Sequence, residues 1–123
     1  REAKSILLIE DNPSNRLLFD HYLKKTAHQM DVAEDGKQGL QKFMGSSYDL
    51  VFMDLEMPVM DGYQSTREIR KWEREQGLKP VPIIALTAHA LKGTKESVLK
   101  AGCSDYLPKP FKKSKLLKLI ASL

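Results

Sequence analysis

The sequence predicts an α/β domain: a doubly wound, three-layer (βα)5 sandwich built on a five-stranded parallel sheet. Three observations lead there. Short apolar runs recur along the chain at Ile6–Ile9, Met30–Ala33, Leu50–Met53, Ile83–Leu86 and Tyr106–Leu107. Three of the runs are continuous rather than alternating, as strands buried on both faces read. Each run is followed by a stretch with helical spacing, and parallel strands joined by right-handed helical crossovers satisfy such an alternation.

The helices can be placed by their starts and stops. Asn12-Pro13 offers an N-cap with proline at the first helical position, and Leu18–Tyr22 and Phe19–Leu23 form i,i+4 pairs behind it. Asp35-Gly36 opens a second helix that carries Leu40 and Phe43-Met44 and stops near Gly45. A third is expected from about Tyr63 to Glu75, ending before Gly77 and Pro80. A fourth is expected over Leu91 to Ala101, with Gly102 just past its end. The last begins near Lys113 and runs to the end, with Leu116, Leu117 and Leu119 between lysines.

At 123 residues the chain makes one domain, spanning 1–123, and the missing initial methionine leads us to expect a domain of a longer protein. With 41% hydrophobic and 29% charged residues, disorder is not expected. No apolar run approaches the roughly 20 residues needed to span a bilayer, so no membrane contact by this domain is expected. A single cysteine, Cys103, cannot form an internal disulfide, which suits the cytoplasm. The net charge is +4, and the basic residues are scattered except near the end, at Lys109, Lys112, Lys113, Lys115 and Lys118. No nucleic-acid-reading motif accompanies it, so these lysines read as the solvated face of the last helix and no nucleic-acid partner is expected.

In open sheets of this kind, chemistry gathers beyond the carboxyl ends of the strands. The first strand ends in Glu10-Asp11, the third in Asp54 and the fourth in Thr87, while the fifth is followed by Lys109. The second, which ends in Ala33-Glu34, would lie at the sheet edge in a 2-1-3-4-5 order. Three carboxylates in one pocket repel one another, and a hard divalent cation relieves that repulsion. Mg²⁺ favours one or two carboxylates, several waters and a phosphate oxygen. Formal charges of −3 from Glu10, Asp11 and Asp54, +2 from Mg²⁺ and +1 from Lys109 sum to zero. Such a site can accept a phosphoryl group, with Asp54 as nucleophile and Thr87 as hydroxyl donor to a phosphoryl oxygen.

Glu10-Asp11, the segment Asp54-Leu55-Glu56-Met57-Pro58-Val59-Met60-Asp61-Gly62, Leu86-Thr87-Ala88 and Lys109-Pro110-Phe111 resemble the signature of response-regulator receiver domains, in order and over essentially the whole chain. The resemblance implies a flavodoxin-like sheet and a role for each residue. Asp11 and Asp54 would bind Mg²⁺ directly (Mn²⁺ being the alternative ion), Glu10 through water and Glu56 through its backbone carbonyl. Lys109 would contact the phosphoryl group, with the Lys109-Pro110 bond cis. Thr87 and Tyr106 would form a switch, Thr87 moving toward the phosphoryl group and the Tyr106 ring turning inward. Glu56 and His89 would flank the path of the hydrolytic water and tune the phosphoryl lifetime. Partners would dock on the surface of the fourth helix, fifth strand and fifth helix, where Lys92, Lys95, Lys112 and Lys113 could steer an acidic partner.

Other residues read more plainly. His21 and His28 are expected at the surface, Cys103 as a small packing residue and Trp72 against the helical layer. Met57 and Met60 do not make a soft-metal site beside carboxylates that favour a hard ion.

Asp54-Leu55-Glu56 at a strand end also resembles the start of Mg²⁺-dependent haloacid-dehalogenase-type phosphatases, but that resemblance implies a Gly-Thr where Met57-Pro58 stands, and more chain for a substrate pocket. A nucleotide-binding protein would want a glycine-rich loop where Asp11-Asn12-Pro13 stands. The expectation is therefore a phosphoacceptor that catalyses its own aspartyl phosphorylation, as a monomer or weak dimer. Met57 to Gly62 and Leu86 to Ala90 most resemble receivers of hybrid histidine kinases, whose parent can be membrane-anchored; a free-standing regulator is the alternative. Its phosphodonor would be the phosphohistidine of a histidine kinase or of a histidine phosphotransfer protein.

Overall fold

The computed structural model describes residues 3–58 and 60–123, so Val59 of the signature segment lies outside the described residues. Ten elements alternate along the chain: β1 (Ser5–Ile9), α1 (Pro13–Leu23), β2 (Gln29–Ala33), α2 (Gly36–Gly45), β3 (Leu50–Asp54), α3 (Gly62–Gln76), β4 (Ile83–Thr87), α4 (Thr94–Ala101), β5 (Asp105–Pro108) and α5 (Lys113–Ala121). The strands form one parallel sheet in the order β2-β1-β3-β4-β5. That is the expected flavodoxin-like order.

The three continuous apolar runs became β1, β3 and β4, the central strands, with helices over both faces. Every residue of β3 and β4 is buried, whereas β2 alternates as an edge strand does. Alternate side chains feed two cores. Leu7, Ile9, Val51, Met53, Ile83 and Ala85 pack with Phe43 and Ile69 on the α2–α3 side. Ile6, Leu8, Phe52, Ile84 and Leu86 pack with Phe19, Leu116 and Ile120 on the other. Phe19 sits between Phe52 and Phe111, ring centroids 5.1 and 5.3 Å away, and ties α1 to the sheet.

The caps follow the sequence. Asn12, Asp35 and Asp61 accept N–H groups of Ser14, Gln38 and Gln64 at 2.8, 2.8 and 2.9 Å. Gly77 and Gly102 close α3 and α4 in the left-handed region, at φ 67° and 111°. One expectation needs correction. The fourth helix starts at Thr94 and not at Leu91, because Gly93 adopts φ 89° and residues 91–93 form a turn. Leu91 in that turn is 73% exposed.

Trp72 is half-buried, edge-on to Phe43 at 5.8 Å, and Cys103 is a buried thiol within the α2–α3 core. Burial pushes that thiol's pKa up, as befits an unreactive packing residue. His21 is exposed; His28 is half-buried and accepts the Lys4 N–H through Nδ1 at 3.0 Å. Among the described residues no helix is long and apolar enough to cross a membrane.

Candidate functional site

Parallel register brings the ends of β1, β3 and β4 level. Ile9 pairs with Met53 and Asp54 with Leu86, so Glu10, Asp54 and Thr87 leave the sheet side by side. The loops continue the ladder. Glu10 N–H donates to Ala33 O at 3.0 Å, Leu55 N–H to Leu86 O at 3.0 Å and Lys109 N–H to Thr87 O at 2.8 Å. The Lys109–Pro110 peptide bond that follows is cis. A cleft of about 460 Å³ opens there, lined among others by Glu10, Asp11, Asn12, Asp54, Glu56 and Lys109.

Carboxylate oxygens of Glu10, Asp11 and Asp54 lie within 4.8 Å of one another, with Glu10 and Asp54 buried and Asp11 half-buried. The Lys109 ammonium stands 3.1 Å from Asp54 Oδ1 and 3.2 Å from Glu10 Oε1. Among the described residues it makes a hydrogen bond only to Asp54. Its approach to Glu10 Oε1 has the distance of an ion pair but not the angle of a hydrogen bond. That oxygen is therefore buried with no hydrogen-bond partner among the described residues. Glu10 Oε2 accepts the Asn12 N–H at 3.2 Å and Asp54 Oδ1 also accepts the Glu56 N–H at 3.1 Å.

The electrostatics follow from this crowding. Burial, and then the Glu10 carboxylate beside it, push the Asp54 pKa from 3.8 up to about 8, although Lys109 pulls the other way. For Lys109, burial is the largest influence and opposes the charged form, but Glu10 and Asp54 together outweigh it and raise its pKa. One lysine thus does not neutralise the pocket. The orphaned Glu10 oxygen and the proton-hungry Asp54 both fit a hard cation held by the carboxylates.

Thr87 is buried at the neighbouring strand end, and its hydroxyl donates to Glu56 Oε2 at 2.9 Å. Glu56 Oε1 accepts the Ala88 N–H at 3.2 Å, and the His89 N–H donates to Thr87 Oγ1 at 3.0 Å. Glu56 and His89 are both exposed, and of the two only Glu56 lines the acidic cleft. Tyr106 is half-buried on β5, away from the acidic cleft. With Leu107, Pro108, Leu119, Lys95, Lys115 and Lys118 it lines a separate cleft of about 560 Å³ between α4 and α5. Of the four lysines expected near that surface, only Lys95 lines this cleft. Lys92, Lys112 and Lys113 are exposed outside the cleft, with Lys112 the N-cap of α5 and Lys113 its first residue.

Two features of the site were not read from the sequence. Gly62, the last residue of the signature segment, starts α3 against the backbone of β3. A Cβ there would collide with Asp54 O and come within 2.8 Å of Leu55 Cα. The glycine lets α3 begin directly behind the acidic residue. Asp61, the acid of the same motif, is the α3 N-cap and takes no part in the pocket. Glu56 is the second feature, since its side chain bridges to Thr87 and Ala88. A glutamate two residues past a strand end carries no signal of that contact.

A family model described as the response regulator receiver domain matches residues 6–121. The chain is 40% identical over 118 residues to the sensor histidine kinase GacS of Pseudomonas protegens, covering 96% of this chain and 13% of that protein. It is 42% identical over 121 residues to the peroxide stress-activated histidine kinase mak3 of Schizosaccharomyces pombe, covering 96% of this chain and 5% of that protein. The chain thus spans only a small part of these kinases. Among solved structures it is similar to the receiver domain of a Pseudomonas aeruginosa sensor histidine kinase, described with a magnesium ion in its active-site cleft. That likeness has a TM-score of 0.86 and 41% identity over 98% of this chain and 97% of the other. It is also similar, with a TM-score of 0.91 and 32% identity over 97% and 87% of the two chains, to a chain in a second complex. That complex holds the Saccharomyces cerevisiae histidine phosphotransfer protein Ypd1 and the receiver domain of its downstream regulator Ssk1.

Proposed function

The chain belongs to the response regulator receiver domain family, and from that premise we propose that Asp54 is its phosphoacceptor, in a pocket that binds Mg²⁺. One observation carries the reading. Three carboxylates and one lysine meet at the ends of β1, β3 and β5, with a threonine hydroxyl at the end of β4 beside them. Asp11 and Asp54 would hold the ion directly, Glu10 through water and Glu56 through its backbone carbonyl. When bound, the ion would supply charge stabilisation for a transferring phosphoryl group and favour the ionised form of Asp54.

The chain's own residues do the rest. An Asp54 carboxylate oxygen forms the new bond to phosphorus as the phosphorus–nitrogen bond of the donor phosphohistidine breaks, and the imidazole leaves with the bonding pair. Lys109, held by its backbone bond to Thr87 and its contact with Asp54, offsets charge on the phosphoryl oxygens. Thr87 supplies a hydroxyl donor and, with Tyr106, the switch. Glu56, on the cleft lining, and His89, whose N–H bonds Thr87, would set the lifetime of the acyl phosphate. The donor is a histidine of a kinase or of a phosphotransfer protein, and the parent a hybrid histidine kinase. The kinase relatives and the phosphotransfer complex support both statements.

Incubation with acetyl phosphate, read by intact mass, tests the proposal. The wild type gains one phosphoryl group only with Mg²⁺, and Asp54→Ala gains none. Labelling that persists in Asp54→Ala places the acceptor elsewhere.

A further inference from the structure

Glu56 leaves the loop after β3 and reaches across to the end of β4. Its two carboxylate oxygens take two different donors, the Thr87 hydroxyl at 2.9 Å and the Ala88 N–H at 3.2 Å. The Thr87 oxygen is meanwhile the acceptor for the His89 N–H, so its own proton is committed to Glu56. A hydroxyl and an adjacent backbone N–H that converge on a two-oxygen anion constitute an anion site. Here the anion belongs to the chain. A phosphoryl group on Asp54 is also an anion in need of donors. Leu86 is Asp54's register partner on β4, so Thr87 and Ala88 come next along the neighbouring strand end.

Resting on the reading of Asp54 as phosphoacceptor, we infer that the Glu56 carboxylate is a built-in competitor of the phosphoryl group. It holds the Thr87 hydroxyl and the Ala88 N–H beforehand, and it gives them up when the phosphoryl oxygens claim them. Two effects drive the exchange. The phosphoryl group and the carboxylate repel each other, and the more highly charged anion makes the stronger hydrogen bonds. The displaced Glu56 side chain is exposed, so water solvates it at little cost. Glu56 thereby raises the threshold at which Thr87 is pulled toward Asp54. The pull has a path onward. Thr87 bonds the His89 N–H, the Thr94 hydroxyl donates to His89 O at 3.3 Å, and Thr94 is the first residue of α4.

The test uses beryllofluoride, an unreactive phosphoryl analogue, titrated calorimetrically in saturating Mg²⁺ into wild type, Glu56→Gln, Glu56→Ala and Asp54→Ala. Both Glu56 variants keep the backbone carbonyl. Glu56→Ala is expected to bind about tenfold more tightly, equivalent to about 1.4 kcal/mol. Glu56→Gln is expected to tighten binding less, since its amide oxygen still accepts one donor. The Ala88 amide resonance should move in both variants before any analogue is added. A residue that merely braced the loop would weaken binding when removed, so unchanged or weaker binding in Glu56→Ala overturns the inference. Should Glu56→Ala fail to fold, the sign of the change in Glu56→Gln decides in its place. Undiminished binding to Asp54→Ala would overturn the reading of the site itself, a result separable from the first.

Discussion

Replacing Asp54 with Asn should make the metal-free protein more stable at alkaline pH, and less stable than wild type once Mg²⁺ is supplied. Asp54 is 1% exposed, with Glu10 beside it. Its folded-state pKa of about 8 lies above the unfolded value of 3.8. Between those values the folded protein keeps a proton that the unfolded chain has released. The group's contribution to stability is therefore complete below pH about 4 and is lost as pH rises through about 8. Taken alone, the difference between 3.8 and about 8 sets a ceiling of about 6 kcal/mol. Relaxation of an open cleft reduces that, and relief of an unfavourable charge commonly yields about 2 kcal/mol. In a domain of this size about 2 kcal/mol corresponds to about 7 °C in Tm. Urea and thermal unfolding of wild type and Asp54→Asn in EDTA should show no difference near pH 4. The gap should widen through the interval and level off above pH about 8. Mg²⁺ at a hundred times its Kd should stabilise wild type by about 2.7 kcal/mol. The variant lacks one carboxylate ligand, and the order reverses provided that it gains less than about 0.7 kcal/mol from the same Mg²⁺. An Asp54→Asn protein less stable than wild type at pH 9 in EDTA, or an advantage that ignores pH, refutes the reasoning.

Two further outcomes are expected. Gly62→Ala forces a methyl group into the backbone of Asp54 and Leu55. It should cost about 2 kcal/mol in urea denaturation and slow labelling by acetyl phosphate, whereas Gly45→Ala, which meets nothing within 4 Å, should leave the labelling rate unchanged. Glu73→Ala removes a buried carboxylate that holds Arg70 at 2.7 Å and the Val81 N–H at 2.9 Å. It should lower stability by about 3 kcal/mol in urea denaturation, while Mg²⁺ affinity, measured by calorimetry, stays the same.

Much of the molecule is legible along the chain. The continuous runs of β1, β3 and β4 mark central strands, because a strand covered on both faces has no wet side to encode. Asn12-Pro13, Asp35 and Gly102 mark helix ends through backbone chemistry that is local by nature. The same holds for Glu10, Asp11, Asp54, Thr87 and Lys109, since a strand end in a parallel sheet is itself a position in the site. The start of α4 was less legible. Leu91 has helical spacing, but Gly93 in the left-handed region breaks the backbone before the helix can begin.

What the sequence determined alone was therefore the alternation of elements, the two-faced burial of the central strands and the set of polar residues at their ends. All of these rest on periodicity and local conformational preference. Tertiary structure decided the rest, because it depends on through-space distances of a few ångströms between residues far apart in the chain. Glu73, lost among the charges of an amphipathic helix, turned out to be a buried bridge to Arg70 and Val81. Lys109, 55 residues from Asp54, became its hydrogen-bond partner and left Glu10 Oε1 without one among the described residues. Glu56, expected at the pocket through its backbone carbonyl and beside the path of the hydrolytic water, also became the anion that holds Thr87.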